Sequence, residues 1–389
     1  MEKLIRDIFL EKFGSDPMIV RSPGRINIIG EHTDYNEGFV LPAAIDKFMY
    51  VGVGKRDDDC IMLYANNFKQ DYQCNLSSVV PSNDGWPNYI LGIVDQLQKS
   101  KQKIGGFNLV IEGTIPPGAG LSSSAGVECA TIFALNELFC LGLNRMTMVK
   151  MAQLAEHTFP GVLCGIMDQF TSMLGKKNHA IKLDCRTLES EYVPLNLDGY
   201  KIVLFNSNVK HTLASTEYNL RRLQCEQGVS WVKEYLPNIE TLRDVTLAML
   251  DKHVREQDPI IYKRCKYVIE ENARVLQGGE DLKNGNLRAL GQKMFQTHKG
   301  LSEDFEVSCK ELDFLVEQVK DNNDVIGARL IGGGFGGCTI NIVKEEAVEQ
   351  LTEKIRKAYK EAMNLELIIY KASIEQGTEL IKHKNYAAL

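Results

Sequence analysis

A two-lobed α/β (α+β) fold is predicted from three observations. Strand and helix patterns mix at both ends of the chain, the stretch from about Ser215 to Asn322 is almost entirely helical in pattern, and there are 389 residues in all. A single core stops growing at roughly 250 to 300 residues, so a second lobe is expected. The boundary falls near residues 185 to 200, dividing the chain into 1–190 and 191–389. No Pro/Gly/Ser linker and no internal repeat marks it more sharply.

In chain order, the run from Met1 to Phe13 carries charges throughout and reads as an amphipathic helix rather than a signal. Met18 to Ser22 and Phe48 to Lys55 have strand patterns, the second placing Met49, Val51 and Val53 on one face. A glycine-punctuated loop joins them. Asn88 to Lys99 reads as a helix and Phe107 to Gly113 as a strand, followed by a glycine loop and a long apolar helix to about Phe139. A further helix is expected over Thr147 to Phe159, with Thr147 as its cap. Short strands follow at Ala180 to Asp184 and Tyr200 to Asn206. After the helical stretch, Arg329 to Ile331 leads into Gly332-Gly-Gly-Phe-Gly-Gly337, a strand Cys338 to Val343, a helix, and a last strand near Leu365 to Tyr370.

Composition excludes several classes of protein. With 44% hydrophobic and 25% charged residues, the chain can bury a sizeable core and is neither disordered nor fibrous. The net charge of −6 argues against nucleic acid as the main partner, because binding a phosphate backbone needs a concentrated excess of Lys and Arg. No run approaches the roughly 20 apolar residues of a membrane span, so no membrane partner is expected. The ten cysteines are scattered, with no C-x-x-C pair, and read as buried thiols in a reducing, cytoplasmic compartment. A monomer is expected.

Pro116-Pro-Gly-Ala-Gly-Leu-Ser-Ser-Ser-Ala125 sits where a strand ends and a helix begins. Glycines there allow close backbone approach, while unpaired helix N–H groups and the helix dipole favour an anion such as phosphate. One of the serines can ligate Mg²⁺, as the P-loop Ser/Thr does. This is not a Walker A loop, since no lysine lies between Gly113 and Cys129, so Mg²⁺ or remote residues must neutralise the phosphates. A plain Gly-Ser turn that caps a helix is the alternative. The second cluster, with five glycines in the six positions 332 to 337, exceeds what a hairpin needs and suggests backbone packed against a ligand or against the first loop.

Ser22 to Gly38 sets Arg25, Glu31, His32, Asp34 and Tyr35 among Ile26, Ile28 and Ile29. Two carboxylates and an imidazole within four residues can accept several hydroxyl hydrogen bonds at once, which suits a sugar. Solvated loop residues and a metal site are the other readings, and the metal site lacks a fourth ligand in view. Asp168 stands alone among Ile166, Met167, Phe170, Met173 and Leu174. A carboxylate buried there needs a partner, and burial opposed by a nearby guanidinium is typical of a tuned base. A helix cap or a surface aspartate is the alternative.

With these segments in place, the chain resembles, from end to end, the galactokinases of the GHMP small-molecule kinase family. Gly24-Arg-Ile-Asn-Ile-Ile-Gly-Glu-His-Thr-Asp-Tyr35 matches the galactokinase signature, and Pro116 to Ala125 and Gly332 to Gly337 match the second and third family motifs. The resemblance implies a two-lobed fold with the active site in the cleft, and transfer of the γ-phosphoryl group of MgATP to the C1 hydroxyl of α-D-galactose. It further implies Asp168 as base with Arg25 stabilising charge, and Glu31, His32, Thr33, Asp34 and Tyr218 at the sugar. Gly118, Ala119, Gly120, Leu121, Ser122, Ser123 and Ser124 would hold the phosphates, with Ser124 and Glu156 on Mg²⁺. Trp86 is similar to a family position near the adenine, or else anchors its own helix. Kinases of N-acetylgalactosamine or arabinose carry a version of the same signature. A galactose-sensing paralogue without turnover is a third reading, against which Ser122-Ser-Ser-Ala125, Arg25 and Asp168 are all intact.

Overall fold

The structure is a computed structural model that describes residues 1–116, 118–209 and 214–381. Pro117 of the first glycine loop lies outside the described residues. The chain opens with helix α1 (Glu2–Phe13) and strands β1 (Met18–Asn27), β2 (Phe39–Val40), β3 (Pro42–Lys55), β4 (Cys60–Ala65) and β5 (Gln70–Asn75). Helix α2 (Asn88–Lys99), strand β6 (Phe107–Gly113) and helices α3 (Ser123–Phe139), α4 (Arg145–Thr158) and α5 (Met167–Leu174) follow. Strands β7 (His179–Asp184), β8 (Ser190–Pro194) and β9 (Tyr200–Asn206) precede the helical stretch of α6 (Ala214–Lys233), α7 (Leu247–His253), α8 (Pro259–Lys283), α9 (Leu287–Lys299) and α10 (Lys310–Lys320). The chain then forms β10 (Val325–Leu330), β11 (Cys338–Lys344), α11 (Val348–Met363), β12 (Ile368–Ala372) and β13 (Glu379–Leu380).

The first sheet has six strands in the order β13-β1-β3-β6-β4-β5. Ile5 and Phe9 of α1 pack with Ile19, Tyr64 and Val110 on one face, while α3 and α5 cover the other. The second sheet runs β10-β11-β9-β12, and its alternation of side chains serves two cores. Ile202 and Leu204 of β9 join the main core, whereas Val203 and Phe205 point to a separate core shared with α10 and α11. A third core within the helical stretch gathers Cys225, Tyr267, Leu301 and Phe305. The final strand returns to the first sheet, where Val20 and Arg21 pair with Leu380 and Glu379.

Three sequence expectations are corrected. Strand β1 continues past Ser22 to Asn27, so Arg25 lies on a strand and not in a loop. Its backbone is buried there and must be paired, and Arg25, Ile26 and Asn27 find partners in Ala44, Ala43 and Pro42 across a register shift near Pro23. Helix α4 begins earlier than expected and is capped by Asn144, whose side chain accepts a hydrogen bond from the Thr147 backbone N–H. Thr147 is therefore the residue being capped. Lastly, the stretch read as a last strand near Leu365 to Tyr370 forms β12 at Ile368–Ala372 instead, and β13 follows it.

Candidate active site

The glycine loop between β6 and α3 uses left-handed backbone at Gly118 (φ 71°) and Gly120 (φ 73°). A side chain at Gly120 would come within 2.9 Å of the Ile331 carbonyl oxygen, and one at Gly332 within 3.1 Å of the Gly120 Cα. The second glycine cluster thus packs directly on the first loop, which accounts for its composition. Ala119 and Leu121 between and beyond these glycines are buried, and Leu121 accepts a hydrogen bond from the Arg25 N–H at 3.1 Å. Ser122 also has left-handed backbone (φ 59°) and ends the loop immediately before α3.

Asp168 stands in the first turn of α5 and receives three donors. Arg25 donates from Nε to Oδ1 at 2.7 Å and from Nη2 to Oδ2 at 2.9 Å, a bidentate pair. Ser122 donates its hydroxyl to Oδ2 at 2.5 Å. The remaining Arg25 nitrogen, Nη1, donates to the Gly120 carbonyl at 2.6 Å. Burial disfavours the Arg25 charge, but the neighbouring Asp168 and Glu31 more than offset it and hold the guanidinium above its ordinary proton affinity. Arg25 therefore joins the strand, the phosphate loop and the candidate base.

These residues open on a cavity of about 260 Å³ whose walls include Glu31, His32, Asp34, Glu156, Cys164, Tyr218 and Gly332 to Gly334. Glu31 is buried, and its Oε1 accepts from Arg329 Nη2 at 3.0 Å and from the Gly332 N–H at 2.8 Å. Burial raises its proton affinity, but Arg329, Arg25 and the Gly332 N–H outweigh that and hold it below the usual carboxylate range. His32 faces the Gly333 carbonyl at 3.2 Å through Nε2 and the Tyr35 hydroxyl at 2.8 Å through Nδ1. A carbonyl can only accept, so Nε2 carries the proton and Nδ1 accepts from Tyr35. Burial pushes the His32 pKa down to about 4, and the ring is neutral at pH 7.

Asp34 is driven the other way, up to about 7, by burial and then by the charge of Asp168. It lies so close to Gly165 that a side chain there would come within 1.9 Å of Asp34 Oδ2. Tyr218 packs its ring 5.2 Å from His32 and 5.3 Å from Tyr35. Thr33 departs from the sequence expectation of a sugar contact. It is fully buried, and its hydroxyl faces the Gly30 carbonyl at 2.8 Å and the Phe39 carbonyl at 2.6 Å, closing the loop from behind.

Behind Asp168, Gln169 Nε2 bridges two carboxylates, donating to Glu156 Oε2 at 2.6 Å and to Glu128 Oε2 at 3.0 Å. The Cys164 thiol also donates to Glu156 Oε2 at 3.3 Å, and the nearby Ser124 hydroxyl lowers the proton affinity of Glu156. Burial and the charge of Asp168 raise the proton affinity of Glu156, and burial together with Glu156 raises that of Glu128 further. Glu128 Oε1 has no hydrogen-bond partner. Among the described residues, no group of three or more His, Cys, Asp or Glu side chains is placed to hold a metal ion. A second, largely apolar cavity of about 450 Å³ adjoins Ser123 and Ser124 and is walled by Trp86, Tyr89, Ile111, Val127 and Tyr370. Trp86 meets Tyr72 edge to face at 6.5 Å.

Sequence reasoning did not single out Arg329, Gln169, Glu128 or Gly165. Only Gly165 carried a local hint, as a glycine three positions before Asp168.

A serine-rich loop at a helix N-terminus, a second glycine loop packed on it, and a carboxylate–arginine pair between them define a GHMP small-molecule kinase. The chain matches the GHMP kinase N-terminal domain over residues 88–176, the galactokinase galactose-binding signature over 7–55 and the GHMP kinase C-terminal domain over 280–361. It is 40% identical to the galactokinase of Thermotoga neapolitana over 364 residues, covering 94% of this chain and 100% of that one. Identity to the Thermosipho africanus galactokinase is 41% over 366 residues, covering 94% of this chain and all of that one. The crystal structure of Lactococcus lactis galactokinase complexed with galactose superposes with a TM-score of 0.94 at 34% identity, covering 97% of this chain and 99% of that one. Methanococcus jannaschii mevalonate kinase, at 19% identity and a TM-score of 0.67 over 94% of this chain and all of that one, shares the fold. The chain belongs to the galactokinase family and is an ATP-dependent sugar kinase.

Proposed function

We propose that the chain transfers the γ-phosphoryl group of ATP to the C1 hydroxyl of α-D-galactose, giving galactose 1-phosphate and ADP. One observation carries this reading. The bidentate Arg25–Asp168 pair lies where a polar cavity meets the serine loop, so a sugar hydroxyl and a terminal phosphate can come together there. The match to the galactose-binding signature over residues 7–55 and the similarity to a galactose-bound relative support galactose as the acceptor.

In this reading Glu31, His32, Asp34 and Tyr218 bind the sugar, and Thr33 shapes their loop. Asp168 accepts the proton of the attacking C1 hydroxyl as the new O–P bond forms and the bond from the γ-phosphorus to ADP breaks. Arg25 holds Asp168 in place and stabilises the charge that develops on the transferring group. Gly118, Ala119, Gly120, Leu121, Ser122, Ser123 and Ser124 cradle the phosphates, and the apolar cavity beside Trp86 and Tyr89 takes the base.

Ser124 and Glu156 form the donor set we assign to Mg²⁺. A carboxylate and a hydroxyl, beside the unpartnered Glu128 oxygen, suit an ion that takes few protein ligands and keeps waters and phosphate oxygens. When bound, Mg²⁺ neutralises phosphate charge that no lysine of the loop can meet. The reading takes residues 1–190 and 191–389 as the two lobes and the protein as a cytoplasmic monomer. All ten cysteines are free thiols, which supports a reducing compartment, and no helix among the described residues is long and apolar enough to cross a membrane.

The test is ADP release with MgATP across galactose, N-acetylgalactosamine, arabinose and glucose. Turnover with galactose alone supports the reading. Turnover with another sugar keeps the mechanism and moves the substrate, and galactose binding without turnover makes the chain a sensor.

A further inference from the structure

Among the described residues, Arg329 is one of the largest side chains that the fold buries completely. It comes from β10, in the second sheet, and reaches back to the sugar loop near the other end of the chain. Its Nε donates to the Ile28 carbonyl at 2.6 Å, and Nη2 donates to the Asn27 carbonyl and to Glu31 Oε1. Nη1 donates to the Leu330 carbonyl. The guanidinium thus holds the backbone on which Glu31 sits and also one of its carboxylate oxygens.

The loop that follows Arg329 continues the same work. The Gly332 N–H donates to the same Oε1 at 2.8 Å, and the Gly333 carbonyl accepts from His32. Glu31 lines the cavity with Oε1 already committed twice, so Oε2 is the oxygen left for a ligand. Gly332 in turn presses against Gly120 of the phosphate loop.

We propose that Arg329 is a positioning residue for the sugar: it fixes Glu31 from the second sheet so that one carboxylate oxygen is presented to a galactose hydroxyl. This rests on Glu31 as a sugar contact. A fork-shaped cation is required because a single ammonium, with three donors, cannot meet three carbonyls and a carboxylate.

The experiment compares Arg329→Lys, Arg329→Met and Glu31→Ala with the parent protein. Galactose affinity is read by calorimetry, KM for galactose and for ATP by ADP release, and folding by circular dichroism and thermal melting. In Arg329→Lys and Arg329→Met, KM and Kd for galactose should rise about 10- to 100-fold, the cost of one hydrogen bond to a charged group. KM for ATP should stay within about threefold, because the phosphate loop makes no hydrogen bond to Arg329. Should Arg329→Met fail to fold, Arg329→Lys keeps the charge and carries the test. Galactose constants within twofold of the parent in a folded Arg329 variant would overturn the proposal, as would equal rises in both KM values. If Glu31→Ala itself leaves galactose affinity unchanged, the sugar-contact reading of Glu31 fails first.

Discussion

Arg25 holds both carboxylate oxygens of Asp168, at 2.7 and 2.9 Å, although the two residues are 143 positions apart. The grip fixes the carboxylate plane without consuming all of its lone pairs. Replacing Asp168 by Asn keeps the shape and removes the proton acceptor. We expect kcat to fall by about 10²- to 10⁴-fold while the galactose dissociation constant stays within about threefold. ADP release and calorimetry measure the two, and near-normal turnover would remove Asp168 from the reaction.

Ser122 tests the same carboxylate from the other side. Its hydroxyl is 2.5 Å from Asp168 Oδ2, and its backbone is left-handed at φ 59°. Ser122→Ala and Ser122→Gly both delete the hydrogen bond, so both should lower kcat about tenfold. Only the glycine accepts the backbone without strain, so Ser122→Gly should be more stable than Ser122→Ala by about 1 kcal/mol in urea unfolding. Equal stabilities would show that this backbone strain is absent, and unchanged kcat in both would show that the hydroxyl does not act on Asp168.

The sequence carried the elements that stand as distinct apolar runs between turn signals. Helix α2 and strand β6 occupy Asn88–Lys99 and Phe107–Gly113 as read, each a largely apolar, buried run bounded by turn residues. Strand β4, the short run Cys60–Ala65, is not singled out in the sequence, and the exposed edge strand β5 has few apolar residues to mark it. The segment after Ser22 reads as a glycine-punctuated loop, yet Pro23 and Gly24 sit at the irregularity of β1, where a side chain at Gly24 would meet the Leu121 carbonyl at 2.6 Å. Within the site, the sugar loop and the serine loop were legible because their residues are contiguous. Arg329 was not, because its acceptors are mainly backbone carbonyls some 300 positions away, which no local pattern encodes. The role of Thr33 was misread for a related reason: a threonine in a polar loop does not reveal which way its hydroxyl turns.

The metal assignment predicts a shifted Mg²⁺ dependence. The Ser124 hydroxyl lies close enough to Glu156 to lower its proton affinity, and Gln169 holds Glu156 from behind. Ser124→Ala and Glu156→Ala should each raise the Mg²⁺ concentration needed for half-maximal rate by about tenfold, with a parallel loss of Mn²⁺ affinity by electron paramagnetic resonance in the presence of ADP. Unchanged titrations in both variants would take these residues out of the metal site.

Asp34 gives the protein a pH dependence whose sign is opposite to that of most buried, ion-paired aspartates. Its carboxyl is raised from 3.8 to about 7 by burial, then by Asp168 and Glu31, against the smaller pull of the Tyr35 N–H and Arg25. The folded protein therefore binds this proton more tightly than the unfolded chain. Its stabilising contribution is complete below pH 3.8 and is lost as pH rises through about 7. His32 works in the reverse direction: its depressed pKa of about 4 makes stability fall as pH drops from 6.5 through 4, but it is present in both the parent and an Asp34 variant. Asp34→Asn isolates the aspartate. Relative to the parent, the variant should gain about 2 to 3 kcal/mol between pH 5 and pH 8 in urea unfolding without ligand or divalent cation. A stability difference that stays constant across that range would mean that Asp34 is ionised in the folded protein throughout, with its charge met by Arg25.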